Sequence, residues 1–380
     1  MNFEGSNIIY AGNQSIVQSR KSVILNSRQS KTPVGNDSWV QKTLQSVRSA
    51  VERDYAIISS IGMNTWELSL WATNEYGGKG VVFLPVEKKE VEAVSVEKLI
   101  NDFELVPENF AFLLIKPEIE TRSSKGWWDS RDKIVFDIAD MVMPVSVREK
   151  GRWSQFLESA DLKNIDNSFR IRYSQKSKGR GLEIKIPNEI THVENWDYLT
   201  HWTRRFHEPW SGEKSSDFYR AIVSSGFEYP RTASATLKRI ISEKLLRGAG
   251  TKIRKGIPVV AFTSLAPSDA VNLMRWRSRY VRYTFEPYGV AIKREAAISL
   301  GARQVEYISN RMKIHGEDSA FIQGYSKGDW PREAEWRFVG DLDLKRLDES
   351  DMKILIPHSD ELDEFQSVSS NEVVSLDSLR

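Results

Sequence analysis

Residues 54–86, DYAIISSIGMNTWELSLWATNEYGGKGVVFLPV, decide the fold class. Residues 55–60 form a run of β-prone apolar and small side chains that reads as a buried strand ending at Ser59, Ser60 and Gly62. MNTWELSLWATNEYGG then reads as a helix, with Thr65 as candidate N-cap and Gly77-Gly78 as the stop. GVVFLPV is a second buried strand. Strand, helix and strand within about thirty residues make a βαβ unit, which predicts a parallel sheet.

The pattern extends in both directions. Upstream, Asp37 or Ser38 caps a helix that carries Val40, Leu44, Val47 and Val51 at helical spacing. Residues 1–36 are rich in Ser, Asn and Gln and read as a polar lead-in, with one strand at 22–25 expected at a sheet edge. Downstream, VSVEKLINDFEL is a helix, NFAFLLIKP a strand, SRDKIVFDIAD a helix and MVMPVSV a strand, followed by a turn at 148–151. Residues 37–160 therefore predict a Rossmann-like α/β domain. Ligands of such sheets bind beyond the carboxyl ends of the strands, here at 59–62, Pro85, Lys116-Pro117 and 144–151. SIGMNTWE could offer backbone N–H groups to a phosphate, or be a plain capped turn. Residues 161–189 read as a basic linker or hairpin.

Residues 190–380 predict an α+β domain with a mixed sheet. Tyr198 to Thr203 is a short strand, and 215–224 and 233–244 are amphipathic helices. Val259–Thr263 is a strand, followed by a helix rich in Arg and Trp. A turn at Glu286-Pro287 leads to a strand at 288–292, a short helix and a strand at 304–308. Glu335–Val339 and Met352–Ile356 close the sheet. On a helix, Arg275, Arg279 and Arg282 share one face and Trp276, Tyr280 and Tyr283 the next. That pattern suits either base stacking with phosphate contacts or an amphipathic helix with an aromatic core face.

Composition narrows the chemistry. With 40% hydrophobic and 28% charged residues, the chain has the content of a globular protein. It has no cysteine, which excludes disulfides, thiol catalysis and cysteine-ligated metals. Its five histidines lack metal-ligand spacing, so no metal is expected. No G-x-S-x-G elbow is present. No apolar run reaches membrane-spanning length, and no signal segment opens the chain, so a cytoplasmic protein without membrane contact is expected. Net charge is +2, but residues 271–311 hold eight bases against three acids, which suits a phosphate-bearing ligand. Nothing in the sequence fixes the oligomeric state.

Two resemblances follow. S-x-G before a helix, with the later R-D-x-I-V-x-x-I-A-D-M-V-M-P-V-S-V-R-E-K-G, resembles the DNA-processing-protein and LOG-type Rossmann families at Ser60, Gly62, Glu67, Arg131 and Arg148. This resemblance implies that small-residue turns and arginines meet nucleotide phosphates. L-T-H-W-T, V-A-F-T and E-W-R are similar to DarT-type DNA ADP-ribosyltransferases. That similarity implies NAD as the substrate held by His201 and Thr203, Glu335 as the catalytic acid, and Thr263, Ser264 and Tyr288 lining the pocket. Arg275 or Arg277 would meet the pyrophosphate, and DNA or a nucleotide would be the acceptor, a pairing that suits phage defence. Duller accounts stand beside these: His201 as a structural histidine, and Glu335 paired with Arg337 two residues away on one strand face. The alternatives are a base-modification hydrolase using Glu286, Glu333 or Glu335, or a non-catalytic module that binds a nucleotide or DNA.

Overall fold

A computed structural model describes residues 8–85, 92–115, 124–159, 164–174, 184, 186–187, 190, 193, 195–250, 253, 256–277, 282–309, 317–325 and 330–379. The chain forms two compact units, Met1–Gly179 with Glu208–Pro230, and Arg180–His207 with Arg231–Arg380.

The first unit is an open α/β sheet. In chain order its elements are β1 (Ile8–Gly12), β2 (Lys21–Asn26), α1 (Ser38–Glu52), β3 (Ala56–Ser60), α2 (Asn64–Glu75), β4 (Gly80–Pro85) and α3 (Glu92–Phe103). They continue with β5 (Phe110–Ile115), α4 (Ser124–Ile138), β6 (Met141–Val147), α5 (Arg152–Glu158), β7 (Asn164–Ile165) and β8 (Ile171–Arg172). The order across the sheet is β1-β5-β4-β3-β2-β6-β7, with β8 also on β6. Every pairing is parallel except that of β1 with β5. Apolar residues fill both faces: Ile57 joins Val40, Val47 and Leu68 in one core, and Ile58 joins Val135 and Phe136 in the other. Burial on both sides is why these strands read as continuous apolar runs.

Three expectations are corrected here. β2 is neither lead-in nor edge: it lies between β3 and β6 with all six residues buried. Its polar ends are satisfied inside, since the Lys21 N–H donates to Asp140 (2.7 Å) and Asn26 Nδ2 to Thr43 Oγ1 (2.9 Å). The expected linker contributes β7 and β8 to the sheet. The helix at 215–224 belongs to the first unit, because Phe218, Tyr219 and Ile222 enter its core.

The second unit begins its sheet with β9 (Tyr198–Trp202). The first-unit helix just placed is α6 (Ser215–Ser224), and α7 (Ala233–Glu243), β10 (Leu245–Leu246), β11 (Val259–Thr263), α8 (Pro267–Ala270), β12 (Trp276–Arg277) and β13 (Arg282–Tyr283) follow. Then come β14 (Gly289–Lys293), α9 (Arg294–Leu300), β15 (Arg303–Gln304), β16 (Glu306–Ser309), β17 (Ile322–Tyr325), β18 (Glu335–Val339) and β19 (Leu342–Asp343). The unit ends with β20 (Met352–Ile356), α10 (Leu362–Gln366) and β21 (Glu372–Ser375). Seven strands form a mixed sheet in the order β15-β18-β11-β9-β14-β20-β21. It is antiparallel throughout, apart from the parallel β20/β21 edge.

The Arg/Trp-rich helix expected after β11 does not form. Past one short turn of helix, the chain makes the β12/β13 hairpin, in which Trp276 pairs with Tyr283 and their rings meet edge to face at 5.2 Å. Cross-strand aromatic packing overrides the helical spacing. Arg279 and Tyr280 lie outside the described residues, so no shared helical arginine face exists among those described. The strand expected at 304–308 is divided between β15 and β16 around Val305, whose N–H donates to the Glu335 carbonyl.

Candidate functional site

In the first unit the chain passes from β2 to β3, β4 and β5 on one side, then returns to β2's other flank as β6. The crevice between the carboxyl ends of β2 and β6 is therefore the topological switch point, where open α/β sheets take ligands. The ladder itself loosens there. Leu25 aligns with Pro144, but Asn26 aligns with Ser146, a one-residue register shift. Asn26 bridges the gap, with Oδ1 accepting from Ser146 N (3.2 Å) and Nδ2 donating to Thr43. Beyond it, Ser27 N donates to the Ser146 carbonyl (2.8 Å), and Ser27 Oγ accepts from Arg148 N (2.9 Å). Arg28 and Arg148 thus flank one mouth, both exposed, and neither guanidinium donates a hydrogen bond among the described residues. The loop after Arg28 is held in place by Asn64 Nδ2, which donates to the Ser30 carbonyl (2.7 Å). Arg148 was among the sequence-derived candidates, whereas Asn26 and Arg28 were not. Their signal is the polar N-S-R that directly follows the apolar run S-V-I-L.

The β3–α2 turn, read from the sequence as either a phosphate cradle or a plain capped turn, has its glycine donor engaged internally. Gly62 takes φ +88°, and its N–H donates to Glu67 Oε1 at 2.8 Å. The protein's own carboxylate therefore holds that donor. Glu67 Oε2 also accepts from the buried Tyr219 hydroxyl (2.7 Å). Burial pushes the Glu67 carboxyl above its ordinary pKa, against the two hydrogen bonds that favour the anion. Ser60 Oγ donates to the Phe83 carbonyl (2.8 Å). Arg131 is buried, with its guanidinium 5.0 Å from the Trp66 ring centre and 4.5 Å from that of Trp128, and it binds Asp132. Ser60, Gly62 and Arg131 are thus each engaged by groups of the protein itself. The β5 end at Lys116-Pro117 lies outside the described residues.

Glu67 carries a testable consequence. Its folded-state pKa is raised above 4.5, so the folded state holds the proton more tightly than the unfolded chain does. That contribution is complete below the unfolded pKa and is lost as pH rises through the folded one. Unfolding free energy measured against pH should fall in the wild type relative to Glu67→Gln on going upward from 4.5. A difference that stays flat with pH contradicts the assignment.

In the second unit, sheet register separates the expected catalytic pair. Thr263 on β11 pairs with Glu335 on one side and with Thr200 on the other. Directly paired residues share a face, and the next residue along a strand takes the opposite one. Glu335 and Thr263 are therefore on one face and His201 on the other, where its ring meets Phe262. His201 Nδ1–H donates to the Ala261 carbonyl (2.8 Å), and burial holds the imidazole below its usual pKa. The shared pocket expected for these residues does not assemble. Glu335 instead receives Arg337 through Nε (2.7 Å) and Nη2 (3.1 Å), and Arg337 continues to the Ala320 carbonyl and Gln323.

The remaining candidates are likewise engaged. Thr203 Oγ1 donates between the carbonyls of Ala233 and Tyr288, and Thr263 Oγ1 to the Glu333 carbonyl. Ser264 Oγ reaches the Ala334 carbonyl at 3.4 Å. The Tyr288 hydroxyl donates to Glu361 (2.8 Å), and burial with that carboxylate raises its pKa. Arg277 Nε donates to Thr284 Oγ1, whose own hydroxyl donates to the Arg275 carbonyl. Among the described residues no group of three or more potential ligands is placed to hold a metal ion. No described helix is long and apolar enough to cross a membrane.

No family model and no curated protein matches the chain. Two solved structures are similar over part of it. DNA processing protein A from Helicobacter pylori, described for its single-stranded DNA binding mode, is 14% identical with a TM-score of 0.29, over 40% of this chain and 66% of that one. DNA processing protein A from Streptococcus pneumoniae is 12% identical with a TM-score of 0.31, over 42% of this chain and 53% of that one. In both comparisons the chain spans less than two thirds of the other protein's length.

Proposed function

We propose that the protein binds a phosphate-bearing nucleotide, free or within a DNA strand, at the β2/β6 crevice of its first unit. The observation that carries this reading is the register break at Asn26, which sits at the switch point between two exposed arginines without acceptors among the described residues. Two guanidinium groups at one mouth suit a phosphate, because a charge-assisted fork fixes both position and orientation. Titration of the full chain with ATP, and separately with a single-stranded oligonucleotide, tests it. Arg28→Ala and Arg148→Ala should each weaken the bound probe about tenfold, or ~1.4 kcal/mol. Oligonucleotide binding should also weaken as salt rises. Wild-type protein that binds neither probe, or variants that bind as tightly as wild type, would overturn the reading.

The NAD-consuming reading needs His201 and Glu335 in one pocket, and with the two on opposite faces no observation favours it. Base modification needs a carboxylate available to activate water. Of its candidates, Glu286 and Glu335 are each held by an arginine.

A further inference from the structure

The sheet of the second unit is two ladders joined at one point. β9 stays in register with β14 from Tyr198 to Trp202, and β11 with β18 from Val259 to Thr263. Between β9 and β11 the only ladder pair among the described residues is Thr200 with Thr263. Past Trp202 the chain remains tied to the β14 side. Arg205 Nε and Nη2 donate to the two carboxylate oxygens of Glu286 (3.0 and 2.7 Å), with both residues buried. Where β9 and β11 part, a side chain stands in for the backbone: His201 Nδ1–H donates to the Ala261 carbonyl.

The parting shows in burial. Ala261 lies on an interior strand between β9 and β18, yet it alone in β11 is exposed. It shares a sheet face with Thr200, Trp202, Thr263 and Glu335. Trp202 does not cover it, because the indole leans the other way. The cross-strand partner of Trp202 is Gly289, and a Cβ there would stand 3.0 Å from Trp202 Cε3 and 3.3 Å from Thr200 Cγ2. The indole and the threonine methyl therefore fill the space over β14, which leaves a cleft over Ala261.

Two polar groups beside that cleft are unmatched. Thr200 and Trp202 are 1% and 8% exposed, and neither Thr200 Oγ1 nor Trp202 Nε1 has a hydrogen-bond partner. Buried donors without acceptors are costly, and folded proteins keep few of them. Across the cleft stands Glu335, its side chain 13% exposed and its charge balanced by Arg337. The two walls are about two strand spacings, ~9.5 Å, apart at the backbone. One wall offers donors, the other a carboxylate with acceptor capacity to spare, and the floor is a methyl group.

We propose that this cleft binds a neutral planar heterocycle of the nucleobase type. Its ring lies over Ala261 beside the indole, a ring carbonyl or nitrogen accepts from Thr200 and Trp202, and an amino or ring N–H donates to Glu335. The Glu335–Arg337 balance selects for a ligand without charge. This site lies in the second unit and does not depend on the phosphate-binding reading of the first.

Ligand-detected NMR titration of the full chain with adenine, cytosine and uracil provides the test. These probes carry no phosphate, so binding at the β2/β6 crevice does not enter the result. At least one base should bind, and Thr200→Val and Ala261→Leu should each weaken it tenfold or more. The first removes a donor at constant shape and the second fills the cleft from its floor. Thr200→Val should unfold no earlier than its parent, because it removes an unmatched hydroxyl. If Ala261→Leu itself unfolds early, Thr200→Val alone decides. The proposal is overturned if no base binds, if a folded variant keeps the parent's affinity, or if Thr200→Val unfolds early, which would give the hydroxyl a partner within the fold.

Discussion

Glu286→Gln should destabilise the second unit by about 3–5 kcal/mol in urea unfolding. The substitution leaves the Arg205 guanidinium buried against a neutral amide, and the amide cannot accept through both of its terminal atoms. The damage extends beyond one ion pair, because Glu286 closes the junction between β9 and β14. Its N–H donates to the Thr203 carbonyl, while Thr203 N donates to the Tyr288 carbonyl at 2.7 Å. An apolar double replacement at Arg205 and Glu286 should cost less than Glu286→Gln alone, since no unpaired charge is left behind. A loss under about 1 kcal/mol for Glu286→Gln would place the pair in the class of exposed ion pairs and contradict its burial.

Leu25→Ala should cost the first unit about 2–5 kcal/mol. Leu25 is fully buried and packs with Val23, Ile58 and Phe83 in the core that α4 covers. β2 has paired neighbours on both sides, so the sheet cannot close a cavity there by shifting an edge. The same substitution in an edge strand or a polar lead-in would cost far less. Urea midpoints for Leu25→Ala therefore separate the interior position of β2 from the edge position that the composition of residues 1–36 suggests. A loss below about 1 kcal/mol would support the edge.

That contrast shows which parts of the fold were legible in the sequence. Strands buried on both faces advertise themselves, as AIISS, GVVFLP and MVMPVSV do, because each position must be apolar or small. β2 was hidden by its polar ends, and only the structure shows Lys21 and Asn26 satisfied inside. The β12/β13 hairpin was hidden because arginine and tryptophan at mixed spacing satisfy a helical pattern equally well.

The candidate sites were legible as residue types at strand ends, but not as constellations. His201 and Glu335 were both singled out, yet whether they meet depends on strand register, and a shift of one residue reverses every face. The pairing of Thr263 with both Thr200 and Glu335 decides it, and no local sequence signal reports that pairing. The pairing of Glu335 with Arg337 was legible, because two positions two apart on one strand must share a face. The β3–α2 turn had the shape of an anion cradle, and an internal carboxylate five residues downstream occupies its Gly62 donor.

The most direct test of nucleotide binding at the β2/β6 crevice is amide hydrogen exchange of the full chain, with and without saturating ATP and a single-stranded oligonucleotide. The account predicts added protection at residues 27–30 and 146–151, lost in Arg28→Ala. Binding without protection in those two segments would contradict it.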